Sequence, residues 1–308
     1  MRKRILLALG GNALGSTLPE QMAAVHATGK AIVGLVKDGY EMVITHGNGP
    51  QVGLMSDAFE SYQQSHGLEH FPMSVCVSLT QGYIGYDLQN AIREELINAG
   101  VEKHVSTIIT QVEVDPEDPA FANPTKPIGP FYTKEQAQAM MVKGISMMED
   151  AGRGWRKVVP SPLPKRVIET STIECLLDGG EMVIACGGGG IPVIRVGNHL
   201  KGVEAVVDKD YASAKLATAL KVDAFIILTA VEKVAINFNQ PDMKWLDHLT
   251  AAEARAYAGQ GQFGKGSMEP KVLAAAEFVE NNPGKTALIT HLNKVKEALE
   301  GKTGTRIE

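Results

Sequence analysis

Short, almost wholly apolar runs recur along the chain, and most are followed by a stretch with apolar residues at helical spacing. Arg4–Leu9, Glu41–Thr45, Val105–Val112, Glu181–Cys186, Ala224–Thr229 and Lys285–Thr290 read as strands. Glu20–Lys37, Val75–Asn98, Tyr211–Leu220 and Pro270–Val279 read as helices. This alternation predicts an α/β fold, with helices on both faces of a mainly parallel sheet. Several strands run directly into glycine-rich turns: Gly10-Gly11-Asn12, His46-Gly47-Asn48-Gly49 and Gly187 to Gly190. Ligands of open parallel sheets bind outside the carboxyl ends of the strands, so the three turns point to one shared edge.

Residues from about Asp115 to about Arg166 break the pattern. They hold eight of the 15 prolines, which reads as an inserted subdomain or lid with rigid turns and neighbouring ends. The whole chain, 1–308, then reads as one domain of two parts, 1–170 and 171–308.

Composition narrows the class. With 44% hydrophobic and 21% charged residues, the 308-residue chain has the apolar mass for a real core. A net charge of −5 disfavours nucleic-acid binding driven by bulk charge, although backbone N–H groups and a few lysines still suffice for a phosphate site. Cys76, Cys175 and Cys186 show no paired spacing, which points to reduced thiols in the cytosol and away from a disulfide scaffold or a zinc site. The apolar run Ile5 to Leu9 is too short for a signal segment, and no run has the length of a membrane span.

The glycine loops carry the first chemistry. Leu9-Gly10-Gly11-Asn12-Ala13 serves equally as a tight turn or as a loop whose N–H groups hold phosphate oxygens. A second such loop, His46 to Gln51, favours anion binding, with His46 read as packed in the turn. Four consecutive glycines, Gly187 to Gly190, exceed what a turn requires. Gly188 and Gly189 are therefore expected to let the backbone approach a substrate or phosphate.

The two commonest nucleotide fingerprints fail. Gly259-Gln260-Gly261-Gln262-Phe263-Gly264-Lys265 starts like a P-loop, but Gly266 stands where Ser or Thr is required and a helical stretch precedes it. Gly47, Gly49 and Gly53 miss the dinucleotide spacing by one residue. Charged candidates remain. Asp208-Lys209-Asp210 precedes a helix, where an aspartate also serves as a plain cap. Lys271 opens a helix, where a cation opposes the macrodipole unless an anion sits there too. Lys126 is held between prolines, and Gly152 to Lys157 reads as the surface or packing of the insertion.

Taken together these residues resemble the carbamate kinases of the amino-acid kinase family, over essentially the whole chain. The marks are Ala8 to Ala13, His46 to Gly53, Thr80-Gln81-Gly82, Asn123 to Phe131, Glu149 to Pro162 and Cys186 to Pro192. Lys201 to Val206, Asp208-Lys209-Asp210, Gly266-Ser267-Met268 and Pro270-Lys271 complete the set. The resemblance implies an αβα sandwich with an eight-stranded, mainly parallel sheet, a homodimer, and reversible phosphoryl transfer between ATP and carbamate. It assigns the acceptor to the first half and the nucleotide to the second. Lys209 and Lys271 would neutralise the transferring phosphoryl group, Asp210 would hold both lysines, and Lys126 would reach the acceptor or carbamoyl phosphate. Gly10, Gly11, Asn12, Gly47, Asn48 and Gly49 would bind acceptor and γ-phosphate. Ala230, Val231, Gly264, Ser267 and Met268 would border the nucleotide, with Mg2+ arriving on ATP or ADP and no metal ligand from the chain. A relative acting on another small acid, or a silent nucleotide sensor on the same scaffold, are the rival readings.

Overall fold

The computed structural model describes residues 3–10, 14–15, 17–67, 69–150 and 152–308. The chain opens with β1 (Arg4–Leu9), α1 (Leu18–Lys37), β2 (Glu41–His46), α2 (Gly49–His66) and α3 (Met73–Asn98). The α1 start is fixed by a capping box in which Thr17 and Glu20 satisfy each other's backbone N–H. Next come β3 (Val105–Thr107), β4 (Gln111–Val114), β5 (Lys126–Tyr132), α4 (Lys134–Val142), β6 (Met147–Glu149), β7 (Trp155–Val159) and β8 (Pro164–Val167). They are followed by α5 (Thr170–Asp178), β9 (Met182–Ile184), β10 (Ile191–Val196), β11 (His199–Gly202), α6 (Lys209–Ala219) and β12 (Ala224–Thr229). The last part holds β13 (Val234–Ile236), β14 (Lys244–Leu246), β15 (His248–Leu249), α7 (Ala251–Gly259) and α8 (Met268–Asn281). The chain closes with β16 (Thr286–His291), α9 (Val295–Leu299) and β17 (Thr305–Ile307). None of these helices is both long and apolar enough to cross a membrane.

Eight strands form the central sheet in the order β15-β17-β16-β12-β1-β2-β9-β3, and only the β16–β17 pairing is antiparallel. Strand periodicity divides its residues between two cores. Ile5, Leu7 and Leu9 of β1 pack with α1 and α3, whereas Leu6 and Ala8 face the core that includes α6 and α8. A strand covered on both faces has to be apolar throughout, which is why β1 and β12 read as unbroken runs.

Two readings from the sequence change. The single strand expected over Val105–Val112 is two strands in different sheets: β3 pairs with β9, and β4 lies between β10 and β8 in a four-stranded sheet. The Gln81 amide and β10 meet at the break. Gln81 donates to the Thr110 carbonyl (3.0 Å) and accepts from the Thr110 N–H (2.9 Å), and the same carbonyl also accepts from the Ile191 N–H of β10 (2.9 Å), so the chain has passed from the β9 ladder to the β10 one. The glycine loop at His46–Gly53 leads at once into α2, a helix of 18 residues. Gly49, Pro50 and Gly53 lower its apparent propensity, but proline is well placed in a first turn.

The proline-rich insertion leaves β4 at Val114 and returns through β8, whose Pro164 pairs with Val114. Within it β5, β7 and β6 make an antiparallel sheet. Pro127 and Pro130 lie on β5, an edge strand, where a missing N–H breaks the fewest ladder bonds. This small sheet docks on α2 at a backbone contact, because a Cβ on Gly53 would overlap Gly129 Cα. Tyr132 Oη donates to Asp57 (2.8 Å) and Lys157 Nζ to Ser56 (3.2 Å), closing the same interface. Gly53→Ala is expected to lower the unfolding free energy by about 1–3 kcal/mol through overpacking. Gly34→Ala, on an open face of α1, should gain up to about 1 kcal/mol. Urea denaturation of the two variants checks the pair, and equal behaviour would refute the contact.

Candidate active site

A cleft of about 680 Å³ opens at the carboxyl ends of the central strands. Its walls come from the segments after β1 (Leu14, Gly15) and β2 (Gly47 to Gln51), from Gly188, and from the β5 stretch Lys126–Phe131. Asp208-Lys209-Asp210 and Gly266, Ser267, Pro270 and Lys271 close it on the opposite side. Three helix N-termini, those of α2, α6 and α8, therefore meet at one cavity.

Asp210 is the electrostatic centre. Its Oδ1 accepts from Lys209 Nζ (2.5 Å) and its Oδ2 from Lys271 Nζ (2.8 Å), with all three side chains nearly buried. Burial works against ionising Asp210, but the two ammonium groups hold its carboxyl well below the usual carboxylate range. Burial pushes the Lys209 ammonium down, against the pull of Asp210. Lys271 is also buried, yet Asp210 keeps it above its ordinary value. The anion that accounts for a cation in the first turns of α8 is thus a carboxylate of the chain itself.

Lys126 reaches across from β5 and hydrogen-bonds Asp208 Oδ2, while Asp208 Oδ1 caps α6 by accepting from the Asp210 N–H (2.8 Å). Three lysines thus share two carboxylates and leave the cleft floor one positive charge in excess. Among the described residues lining the cleft, Asp208 and Asp210 are the acidic ones, and no group of three His, Cys, Asp or Glu side chains gathers to hold a metal.

The α2 terminus supplies open donors. Its ladder begins at the Val52 N–H on the Asn48 carbonyl (2.8 Å), and no acidic residue lies in the first turn. Asn48 Oδ1 accepts from no N–H of the first turn, and the side chain is held the other way by its Nδ2 donating to Thr80 Oγ1 (2.8 Å). An uncapped N-terminus facing a cleft is a site for an anion. Beside it, Asp87 sets the polarity of two buried amides. A carboxylate can only accept, so Gln21 turns Nε2 to Asp87 (2.5 Å) and its Oε1 toward Gln51 Nε2 (3.0 Å). Gln51 Oε1 is left buried and without a hydrogen-bond partner.

The residues named from the sequence divide accordingly. Lys126, Lys209, Asp210, Lys271, Gly47, Asn48, Gly49, Gly188 and Ser267 all line the cleft. Gly11 and Asn12 lie outside the described residues. Gly10 lies off the cleft lining, and a Cβ there would strike the Leu228 carbonyl, so it serves the close approach of β1 to β12. Gly264 and Met268 are off the cleft, Met268 packing on the core, and Ala230 lines neither cavity. Val231 borders a separate cavity of about 380 Å³ with Glu232, Lys233 and Trp245. The four glycines answer to packing. A Cβ on Gly187 would sit 2.6 Å from His46 Nε2, and side chains on Gly188, Gly189 and Gly190 would overlap Asn48, Val207 and Val112. The backbone does approach something closely there, but what it approaches is the protein, and only Gly188 reaches the cleft.

Sequence reasoning passed over Asp208 as a cap and Gly152 to Lys157 as packing, yet Asp208, Arg153 and Arg156 line the cleft. Both guanidinium groups pair with Asp150 and lie over the Phe131 ring at 5.1 and 5.3 Å, and Arg156 also donates twice to the Gly129 carbonyl. Two cations and an aromatic within four residues were the available signal.

A parallel α/β sheet with an anion cleft at its strand ends, floored by carboxylate-held lysines, defines a phosphoryl-handling protein of the kinase type. The chain belongs to the amino acid kinase family, whose model matches residues 3–291. It is 57% identical over 308 residues to the carbamate kinase-like protein YqeA of Escherichia coli, covering 100% of this chain and 99% of that protein. To the carbamate kinase of Thermococcus kodakarensis it is 52% identical, with 99% of each chain covered. The solved structure of carbamate kinase from Giardia lamblia bound to AMP-PNP superposes with a TM-score of 0.89 at 40% identity, over 99% of this chain and 98% of that one. Family and relatives make this protein an ATP-dependent kinase.

His46 generates a pH prediction. Its ring is fully enclosed, Nδ1 meets the Gly47 carbonyl (2.9 Å), and Nε2 has no partner. Burial, with Lys209 nearby, lowers its pKa to about 4. The unfolded chain therefore binds the proton first, and stability is lost as pH falls from about 6.5 toward 4, by up to about 3 kcal/mol. Urea midpoints measured across this range should slope steeply in the parent and be flatter in His46→Gln. Parallel slopes would refute the buried neutral ring.

Proposed function

We propose that the chain transfers a phosphoryl group reversibly between ATP and carbamate, giving carbamoyl phosphate and ADP. The observation that carries this reading is the convergence of Lys126, Lys209 and Lys271 with Asp210 at the open α2 terminus. Phosphoryl transfer asks a protein mainly for in-line positioning and for charge stabilisation at the equatorial oxygens. Each ammonium has three donors. With one spent on Asp210, Lys209 and Lys271 keep two each for the phosphoryl group. The α2 N–H groups take acceptor or γ-phosphate oxygens, and Lys126 faces the acceptor. Carbamate is already an anion at neutral pH, so a general base is not required. AMP-PNP in the Giardia relative supports the nucleotide, and the names of the relatives support the acceptor.

Asp208 and Asp210 are both engaged by lysines, so Mg2+ would be held by the nucleotide phosphates and not by the chain. Bound there, it would neutralise phosphate charge. Because carbamoyl phosphate is a high-energy mixed anhydride, we read the cellular direction as ATP synthesis during catabolism. Unpaired Cys76, Cys175 and Cys186 favour the cytosol.

We also read the protein as a homodimer, as the family resemblance implies, and assign the interface to the exposed apolar residues Val75, Leu79 and Tyr86 on one face of the first half of α3. Leu79→Glu should shift sedimentation toward the monomer; an unchanged profile would remove that surface from the interface.

The direct test mixes the protein with ADP, Mg2+ and carbamoyl phosphate and follows ATP. Formation of ATP is expected, and its absence from a folded, nucleotide-binding preparation would overturn carbamate as acceptor. Lys209→Ala and Lys271→Ala should each lower kcat by about two orders of magnitude, the scale of losing one preorganised charge. Parent-like turnover in either variant would sink the assignment.

A further inference from the structure

We infer that Asp208 is a positioning residue: a carboxylate latch that draws Lys126 of the insertion across the cleft and holds it beside Lys209. The inference rests on the reading of Lys126 as the cation on the acceptor side. Asp208 divides its two oxygens between separate tasks. Oδ1 is fixed by the α6 cap, accepting from the Asp210 N–H at 2.8 Å, and this aims Oδ2 at Lys126 Nζ. The carboxylate is nearly buried and the lysine mostly so, which makes the pair worth more than a surface ion pair.

The direction of this tie sets it apart. Tyr132, Lys157 and Gly129 fasten the insertion to α2, on the side of the cleft where their own sheet docks. Lys126 instead reaches over the opening to α6, the helix that carries Lys209 and Asp210. A free lysine stem has four rotatable bonds and would have to be ordered when an anion arrives. Held on Asp208 it is ordered beforehand, with two of its three donors left for the ligand. The carboxylate does not reach the reacting atoms through any donor of its own, so its effect passes through Lys126.

Asp208→Asn separates this role from capping. Asparagine caps a helix about as well as aspartate, so any fall in the urea midpoint should be no larger than that of Lys126→Met, which removes the pair and leaves the cap. Loss of the charge should raise KM for carbamoyl phosphate about tenfold, leave KM for ADP within about twofold, and change kcat less than KM. Hydrogen–deuterium exchange over residues 126–132 should quicken, with α6 unchanged, a readout that does not depend on turnover. In a double-mutant cycle, Asp208→Asn should add little once Lys126→Met is present. Additive effects, an equal rise in KM for ADP, or parent-like exchange and KM in Asp208→Asn would each overturn the latch. If Lys126→Met alone raises KM for carbamoyl phosphate while Asp208→Asn does not, the latch falls and the role of Lys126 stands. If neither variant changes it, both fall together.

Discussion

Asp210 is a buried carboxylate with a lysine on each oxygen, and that arrangement constrains much of the molecule. An unpaired charge at this depth is too costly to retain, so the fold has to deliver two cations to one point. Lys209 is its neighbour in sequence, but Lys271 comes from 61 residues further along. The N-termini of α6 and α8 must therefore lie side by side, and the two helices pack on the same core beneath β12, where Phe225 and Phe278 meet edge to face. Taking away one lysine would leave the other shared badly and the carboxylate underpaired. The same geometry that satisfies Asp210 brings two ammonium groups to the cleft with most of their donors unspent.

The remaining walls are held by buried polar side chains and by glycines. Gln81 fixes both the Thr110 backbone and the Gly187 carbonyl (3.0 Å), and Thr80 accepts from Asn48 Nδ2, holding that side chain where its oxygen does not cap α2. One turn of α3 thus sets the end of β3, the glycine loop after β9 and the openness of the α2 terminus. Gly187 to Gly190 let that loop sink against His46, Asn48 and Val112. Side chains there would push these elements apart, and the anion site at α2 would be displaced with them.

The architecture was legible because its signals are local. An unbroken apolar run followed by helical spacing identifies β1, β2 and β12 without knowledge of their neighbours. The failures came where a distant group decides the outcome. Val105–Val112 has the composition of one strand, and it is divided by distant groups, Gln81 some thirty residues earlier and Ile191 some eighty later. The glycines after β9 read as a backbone approaching substrate or phosphate, whereas the close neighbours are His46, Asn48, Val207 and Val112, and nothing local distinguishes an approach to ligand from one to protein. For the lysines the residues alone were weaker still: each looked like a solvated charge, and their roles came from family resemblance. Their pairing with Asp208 and Asp210 spans one, 61 and 82 positions, and only the first of these intervals lies within reach of a motif.

Charge balance explains why the cleft needs its carboxylates. Three lysines without partners would repel one another, and burial would push Lys209 and Lys271 toward the neutral form, as it already does Lys209. Asp210 opposes that loss of charge at Lys209 and Lys271, Asp208 aims Lys126, and the three lysines still exceed the two carboxylates by one positive charge. His46 belongs to the same balance. Its ring lies close enough to Lys209 for the lysine's charge to oppose its protonation, and its enclosure keeps it neutral, so it adds no positive charge at neutral pH. The field at the cleft is then set by the lysine–aspartate set, by Arg153 and Arg156 with their shared Asp150, and by the helix ends. A phosphoryl group entering it meets donors whose ordering was completed when the chain folded, which is the condition under which fixed charges stabilise a transition state at no further reorganisation cost.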